Sequence, residues 1–155
     1  AGAFAAMVTT QPAYGKVDLT MVLNGALAGL VSITAEPLTP TMGWTCLIGG
    51  VGGVIVVYGV PLLDKFKIDD VVGAIPVHLF AGIWGTLAVV LTNPDAALGT
   101  QLYGIVVVGV FTFAVSGIAW VILNATLGIR VSEEDEITGL DTAELGMEAY
   151  PDFVR

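Results

Sequence analysis

The sequence predicts an all-α fold, a polytopic bundle of transmembrane helices. Three observations carry the prediction: the composition, the length of the apolar runs, and the one-sided placement of the basic residues. Of 155 residues, 55 % are hydrophobic and only 12 % are charged, against roughly a quarter charged in an average soluble domain. The mean hydropathy is +0.88. A soluble domain of this length buries a core without needing so apolar a surface.

From the start of the chain, residues 1–10 are apolar but too short to span a bilayer, and they lack the basic segment of a signal peptide. No initiator Met opens them. They read as the end of a helix, and the chain as the C-terminal fragment of a longer protein. Four apolar runs then approach the ~20 residues a spanning helix needs: 19–35, near the short limit, 42–63, 71–91 and 103–127. The intervening stretches 36–41, 64–70 and 92–102 are rich in Pro, Asp, Asn, Lys or Thr, the residues of turns and helix ends. Residues 1–130 are therefore assigned to the membrane region and 131–155 to a tail. Helices suit lipid because they satisfy their own backbone groups. The runs do not alternate as barrel strands do.

The Lys and Arg residues total five. Four spans in series place Lys16, the Lys65 and Lys67 pair, and Arg130 on one side, with Arg155 in the tail. Stretches 36–41 and 92–102 contain no Lys or Arg. By the positive-inside rule the Lys-bearing side and the C-terminus are cytoplasmic. Trp44 and Tyr103 fall near the outer interface, where aromatic belts form; Trp120 lies deeper and reads as a packing residue. Gly25 with Gly29, Gly49 with Gly53, and Gly82 with Gly85 sit at helical neighbour spacings, which lets helices approach closely.

Several functions are excluded. Five basic residues make no nucleic-acid patch. The lone Cys46 excludes an internal disulfide and offers no metal-cluster spacing. The net charge of −9 owes much to Glu133, Glu134, Asp135 and Glu136 in the tail, a run that reads as a solvated segment. The sequon at Asn124 lies at the cytoplasmic end of a span and is discounted. No metal or cofactor is expected.

One ionisable residue lies deep inside a run, His78. It stands eight residues past Asp70, about 12 Å along a helix axis. Ionisable groups within a membrane are rare and mark pathways or relays. At 3.6 residues per turn, His78 shares a face with Val71, Ala74, Ile75, Ala81, Gly82, Gly85 and Val89, while Phe80, Ile83, Trp84 and Leu87 point away. A small apolar face around an imidazole suits a narrow lumen or a tight helix contact better than lipid. Asp69 and Asp70, at the start of the same run, are candidates for a helix cap or for a cytoplasmic vestibule.

Three stretches together resemble the ammonium transporter family, which includes the methylammonium permeases. Asn24-Gly-Ala-Leu-Ala-Gly-Leu-Val-Ser-Ile-Thr-Ala35 is similar to that family's eighth span. Asp69-Asp-Val-Val-Gly-Ala-Ile-Pro-Val-His78, continuing to Gly82-Ile-Trp-Gly85, is similar to its tenth. Gly139-Leu-Asp-Thr-Ala-Glu-Leu-Gly-Met-Glu-Ala-Tyr150 is similar to its cytoplasmic tail. Two positions depart from the pattern: Leu145-Gly-Met147 stands where His-Gly-Glu is common, and Gly73 where some members are acidic.

The resemblance implies an eleven-span fold with the C-terminus inside, of which this chain holds the end of the seventh span and the eighth to eleventh. It implies a homotrimer in the cell membrane, conducting ammonium or ammonia through one hydrophobic pore per subunit, and not an enzyme. His78 would be one of the family's twin histidines at mid-pore, its partner belonging to the absent N-terminal half. A cytoplasmic PII-type regulator is a candidate partner. Two rival classes are an ammonium-sensing receptor of the same fold and a redox subunit using His78 as a haem ligand. The lack of a second histidine disfavours the latter.

Overall fold

A computed structural model describes residues 1–38 and 41–149. The expected outer loop 36–41 is thus described only in part, and Tyr150 and Arg155 of the tail lie outside the described residues. All the described elements are helices. In chain order they are α1 (Gly2–Tyr14), α2 (Leu19–Ile33), α3 (Met42–Lys65), a π-helical segment (Ile75–Phe80) running directly into α4 (Ala81–Thr92), α5 (Leu98–Thr126), α6 (Glu133–Thr138) and α7 (Leu140–Leu145). The chain divides into two units, Ala1–Val108 and Gly109–Arg155.

In the first unit α1, α2 and α3 pack on one another, and the π segment with α4 packs on α2 and α3. Met42–Lys65, Ile75–Thr92 and Leu98–Thr126 are long and apolar enough to cross a membrane. At 15 residues α2 is shorter, about 22 Å against a hydrocarbon core of about 30 Å. Helix α5 starts at Leu98, earlier than the expected 103, because the turn after α4 is only a short Asx turn in which Asp95 N–H donates to Asn93 Oδ1 at 2.9 Å. None of its residues is buried. Trp120, read as a packing residue, is consequently exposed.

The core of the first unit is small. Ala28, Val56, Val77 and Ala81 form its buried cluster, with Met21, Val31 and Val60 packed against it. Glycines make this possible by replacing side chains with backbone contact. Gly25, Gly29, Gly49 and Gly53 all converge on Gly2, and a Cβ added at Gly53 would stand 2.8 Å from the Gly2 carbonyl carbon. Gly85 sits equally close to α2, where its Cβ would lie 2.8 Å from the carbonyl carbon of Ser32. Gly82, expected to share that role, does not: its Cβ would meet nothing nearer than Val31 Cγ1 at 3.8 Å.

Pro61 lies inside α3 and supplies no N–H, so the carbonyl of Val57, four residues earlier, loses its helical donor. The Tyr14 hydroxyl donates to that carbonyl. The C-terminus of α3 closes with Lys67 N–H donating to Asp64 at 2.9 Å and Ile68 N–H to Leu63 at 3.0 Å. Lys67 holds φ at 58° to make this cap, a left-handed conformation usually given to glycine.

In the second unit, Ser132 caps α6 by accepting from Asp135 N–H at 3.1 Å. Glu133, Glu134, Asp135 and Glu136 form its first turn, where negative charge meets the positive end of the helix dipole. The acidic run is thus a helix start. Arg130 pairs with Glu136 at 2.8 Å across an exposed surface, a contact of small energetic weight.

Candidate functional site

The expected helix from residue 71 begins later. Gly73 adopts φ of 77°, which ends any continuous helix between Asp70 and Ala74, and Ala74 becomes the cap of the π segment. His78 therefore stands four residues beyond the cap, about 6 Å along the axis, half the expected distance from the helix start.

Several hydrogen bonds hold the turn ahead of it. Gly73 N–H donates to the Asp70 carbonyl at 3.3 Å. Ala74 N–H donates to Asp70 Oδ1 and Ile75 N–H to Asp70 Oδ2, each at 2.8 Å. Pro76 has no N–H to satisfy, and Val77 N–H donates to the Gly73 carbonyl at 3.1 Å. One carboxylate thus serves both orphan donors of the first turn, an arrangement favoured by the helix dipole. Asp69 is exposed and makes no hydrogen bond or ion pair among the described residues.

From α2, Asn24 Nδ2 donates to the Val72 carbonyl at 3.0 Å. Gly73 lies against the same amide, and a Cβ there would stand 3.0 Å from Asn24 Nδ2. Gly73 is required twice over, by its left-handed φ and by the space Asn24 occupies. Asn24 received no role from the sequence, although a polar amide in an apolar run is itself a signal worth following.

Within the π segment Ala81 N–H donates to the Pro76 carbonyl, five residues back, so the turn holds more than 3.6 residues. Counting at helical spacing across it misplaces every later side chain. The buried residues are Pro76, Val77, Ala81, Gly85, Ala88 and Val89. Trp84, expected to point away from the His78 face, donates its Nε1–H to the Ile48 carbonyl of α3 at 2.9 Å. His78 is exposed and makes no hydrogen bond among the described residues. Below it, Val77 is 2 % exposed, and Pro76 and Phe80 press on α3 at Gly59, where a Cβ would come within 2.9 Å of Pro76 Cβ. The imidazole is therefore carried on a closely packed turn.

At the other end of α4 the Thr92 hydroxyl donates to the Glu36 carboxylate, joining the ends of α2 and α4. Among the described residues no three His, Cys, Asp or Glu side chains are arranged so that they could hold a metal ion.

The sequence model of the Ammonium Transporter Family matches residues 1–150. The chain belongs to this family. Its relatives include the ammonium transporter Amt2 of Archaeoglobus fulgidus, 42 % identical, with 99 % of this chain and 37 % of the relative covered. The ammonium transporter Amt1 of Haloferax mediterranei is 36 % identical over 99 % of this chain and 31 % of its own length. A putative ammonium transporter of Synechocystis, sll1017, is 39 % identical over 84 % of this chain and 30 % of its own length. The chain thus spans about a third of the length of the curated ammonium transporters it matches, and those relatives are named as transporters.

Proposed function

We propose that the full-length protein conducts ammonium or ammonia across the cell membrane, and that His78 lines the conduction path near the bilayer midplane. The observation that carries the proposal is His78 itself. It is the single histidine of the chain, held unburied in a π turn of a membrane-length apolar helix. Membership of the Ammonium Transporter Family supports the substrate.

A dehydrated ammonium ion is costly in an apolar channel, so a narrow lumen favours neutral ammonia with the proton moving separately. Imidazole suits such a lumen because one nitrogen accepts a hydrogen bond while the other donates. The N-terminal part of the protein supplies the other wall, including the partner histidine. A midplane position for His78 puts the turn at 71–73 below the membrane surface. Non-helical backbone is tolerated at that depth only where its polar groups are satisfied or face water, and the bonds with Asp70 and Asn24 satisfy the Val72 carbonyl and the N–H groups of Ala74 and Ile75. Asp69, exposed on the same turn, faces a cytoplasmic vestibule in this reading. The trimer and a PII-type regulator at the tail follow from the family likeness.

Sealed vesicles carrying the full-length protein are expected to take up methylammonium saturably above empty vesicles. Ammonium binding without uptake would replace the transporter with the sensor. The orientation rests on the basic residues and has its own test. Single cysteines at Leu38 and Lys67, both in exposed positions and in a Cys46→Ser background, should label from opposite sides, Lys67 from the cytoplasm. Labelling of both from outside would overturn it.

A further inference from the structure

We infer that Asn24 is a positioning residue for His78, acting through the turn at 71–73. This rests on the proposed pore role of His78 and extends it to a residue on another helix. The chain of contacts is continuous. Asn24, half-buried on α2, donates to the Val72 carbonyl at 3.0 Å, and its amide fills the space that a side chain at residue 73 would take. That contact holds Gly73 in its left-handed conformation, the conformation that brings Ala74 and Ile75 N–H onto the two Asp70 oxygens at 2.8 Å. Those bonds set where the π segment begins, and its start sets the direction of the residue four positions past the cap.

The register is sensitive because a π turn competes with ordinary helical bonding and is used mostly as a single turn. With α-helical pairing, each residue after the turn rotates toward its 3.6-residue position, and His78 moves with it. Val77 and Ala81, both buried, resist that rotation from one side. Asn24 resists it from the other end. The Asp70 carboxylate alone does not orient the turn toward α2; the Asn24 amide is the tie between the two.

Full-length protein with Asn24→Leu keeps a side chain branched at the same carbon and removes the donor, whereas Asn24→Gln keeps a donor. For Asn24→Leu we expect methylammonium flux to fall about tenfold, the equivalent of one hydrogen bond of about 1.4 kcal/mol, and the pH profile of the residual flux to move. Amide hydrogen exchange in 71–80 should quicken while exchange in α3 stays as in the parent. Asn24→Gln should recover most of the flux. Unchanged exchange in 71–80, or a smaller flux with the parental pH profile, would overturn the inference and leave Asn24 a packing residue. His78→Ala measured alongside separates the two readings. Normal flux in that variant defeats the pore role of His78, whatever Asn24→Leu does to exchange.

Discussion

His78→Ala is expected to abolish or strongly reduce conduction, by tenfold or more in methylammonium flux, while the melting temperature of the full-length protein moves by only a few degrees. Within this chain the side chain is exposed and makes no hydrogen bond among the described residues. The π segment is anchored instead through Pro76 and Val77, both buried, and through the Asp70 carboxylate. Removing the imidazole therefore leaves the packing of the helix in place. A buried packing residue would behave in the opposite way, costing about 2–5 kcal/mol on truncation to alanine with flux falling only as folded protein is lost. Flux and thermal unfolding measured on one purified preparation decide between the two. Normal flux with a clearly lowered melting temperature would make His78 structural.

The second large effect belongs to Gly85. Gly85→Val is expected to destabilise the protein by about 3 kcal/mol or more, at the upper end of overpacking costs. Its Cβ would lie 2.8 Å from the carbonyl carbon and 2.9 Å from the Cα of Ser32. Both of these are backbone atoms of α2, so relief requires one helix to move away from the other. That movement would open the contact of α4 with the buried Ala28 and Ala81 cluster and weaken the long reach of Ser32 Oγ–H to the Ala81 carbonyl at 3.5 Å. Gly82→Ala is the matched control, because the nearest atom to its Cβ is a flexible Val31 methyl at 3.8 Å. Alanine is the better helix former there by up to about 1 kcal/mol. Equal stability loss in the two variants, measured by thermal unfolding of the full-length protein, would show that the α2–α4 contact has no such tightness.

The contrast between these two glycines marks the limit of what spacing reveals. Gly82 and Gly85 are three apart and equivalent on paper, yet only Gly85 meets a backbone. The difference lies in which of the two falls where α4 crosses Ser32 of α2 most closely. Val71, counted on the His78 face, lies outside the helix altogether, because the left-handed Gly73 ends any helix that would include it. The acidic pair before His78 was visible as a candidate cap. That Asp70 alone makes the bonds, with Asp69 left exposed, depended on the left-handed Gly73 between them and the helix.

The sequence by itself determined that the chain is a set of long apolar helices, where most of them fall, and that one ionisable residue, His78, stands within them. Those are local properties: hydropathy adds up along a run, turn residues act where they stand, and a single histidine in an apolar stretch is conspicuous without any fold. Only the tertiary structure decided how that histidine is held. Asn24 and Val72 are 48 residues apart, and Tyr14 and Val57 are 43 apart. A carbonyl left without a helical donor takes whichever donor the packing brings to it, and no property of the neighbouring residues names that donor in advance.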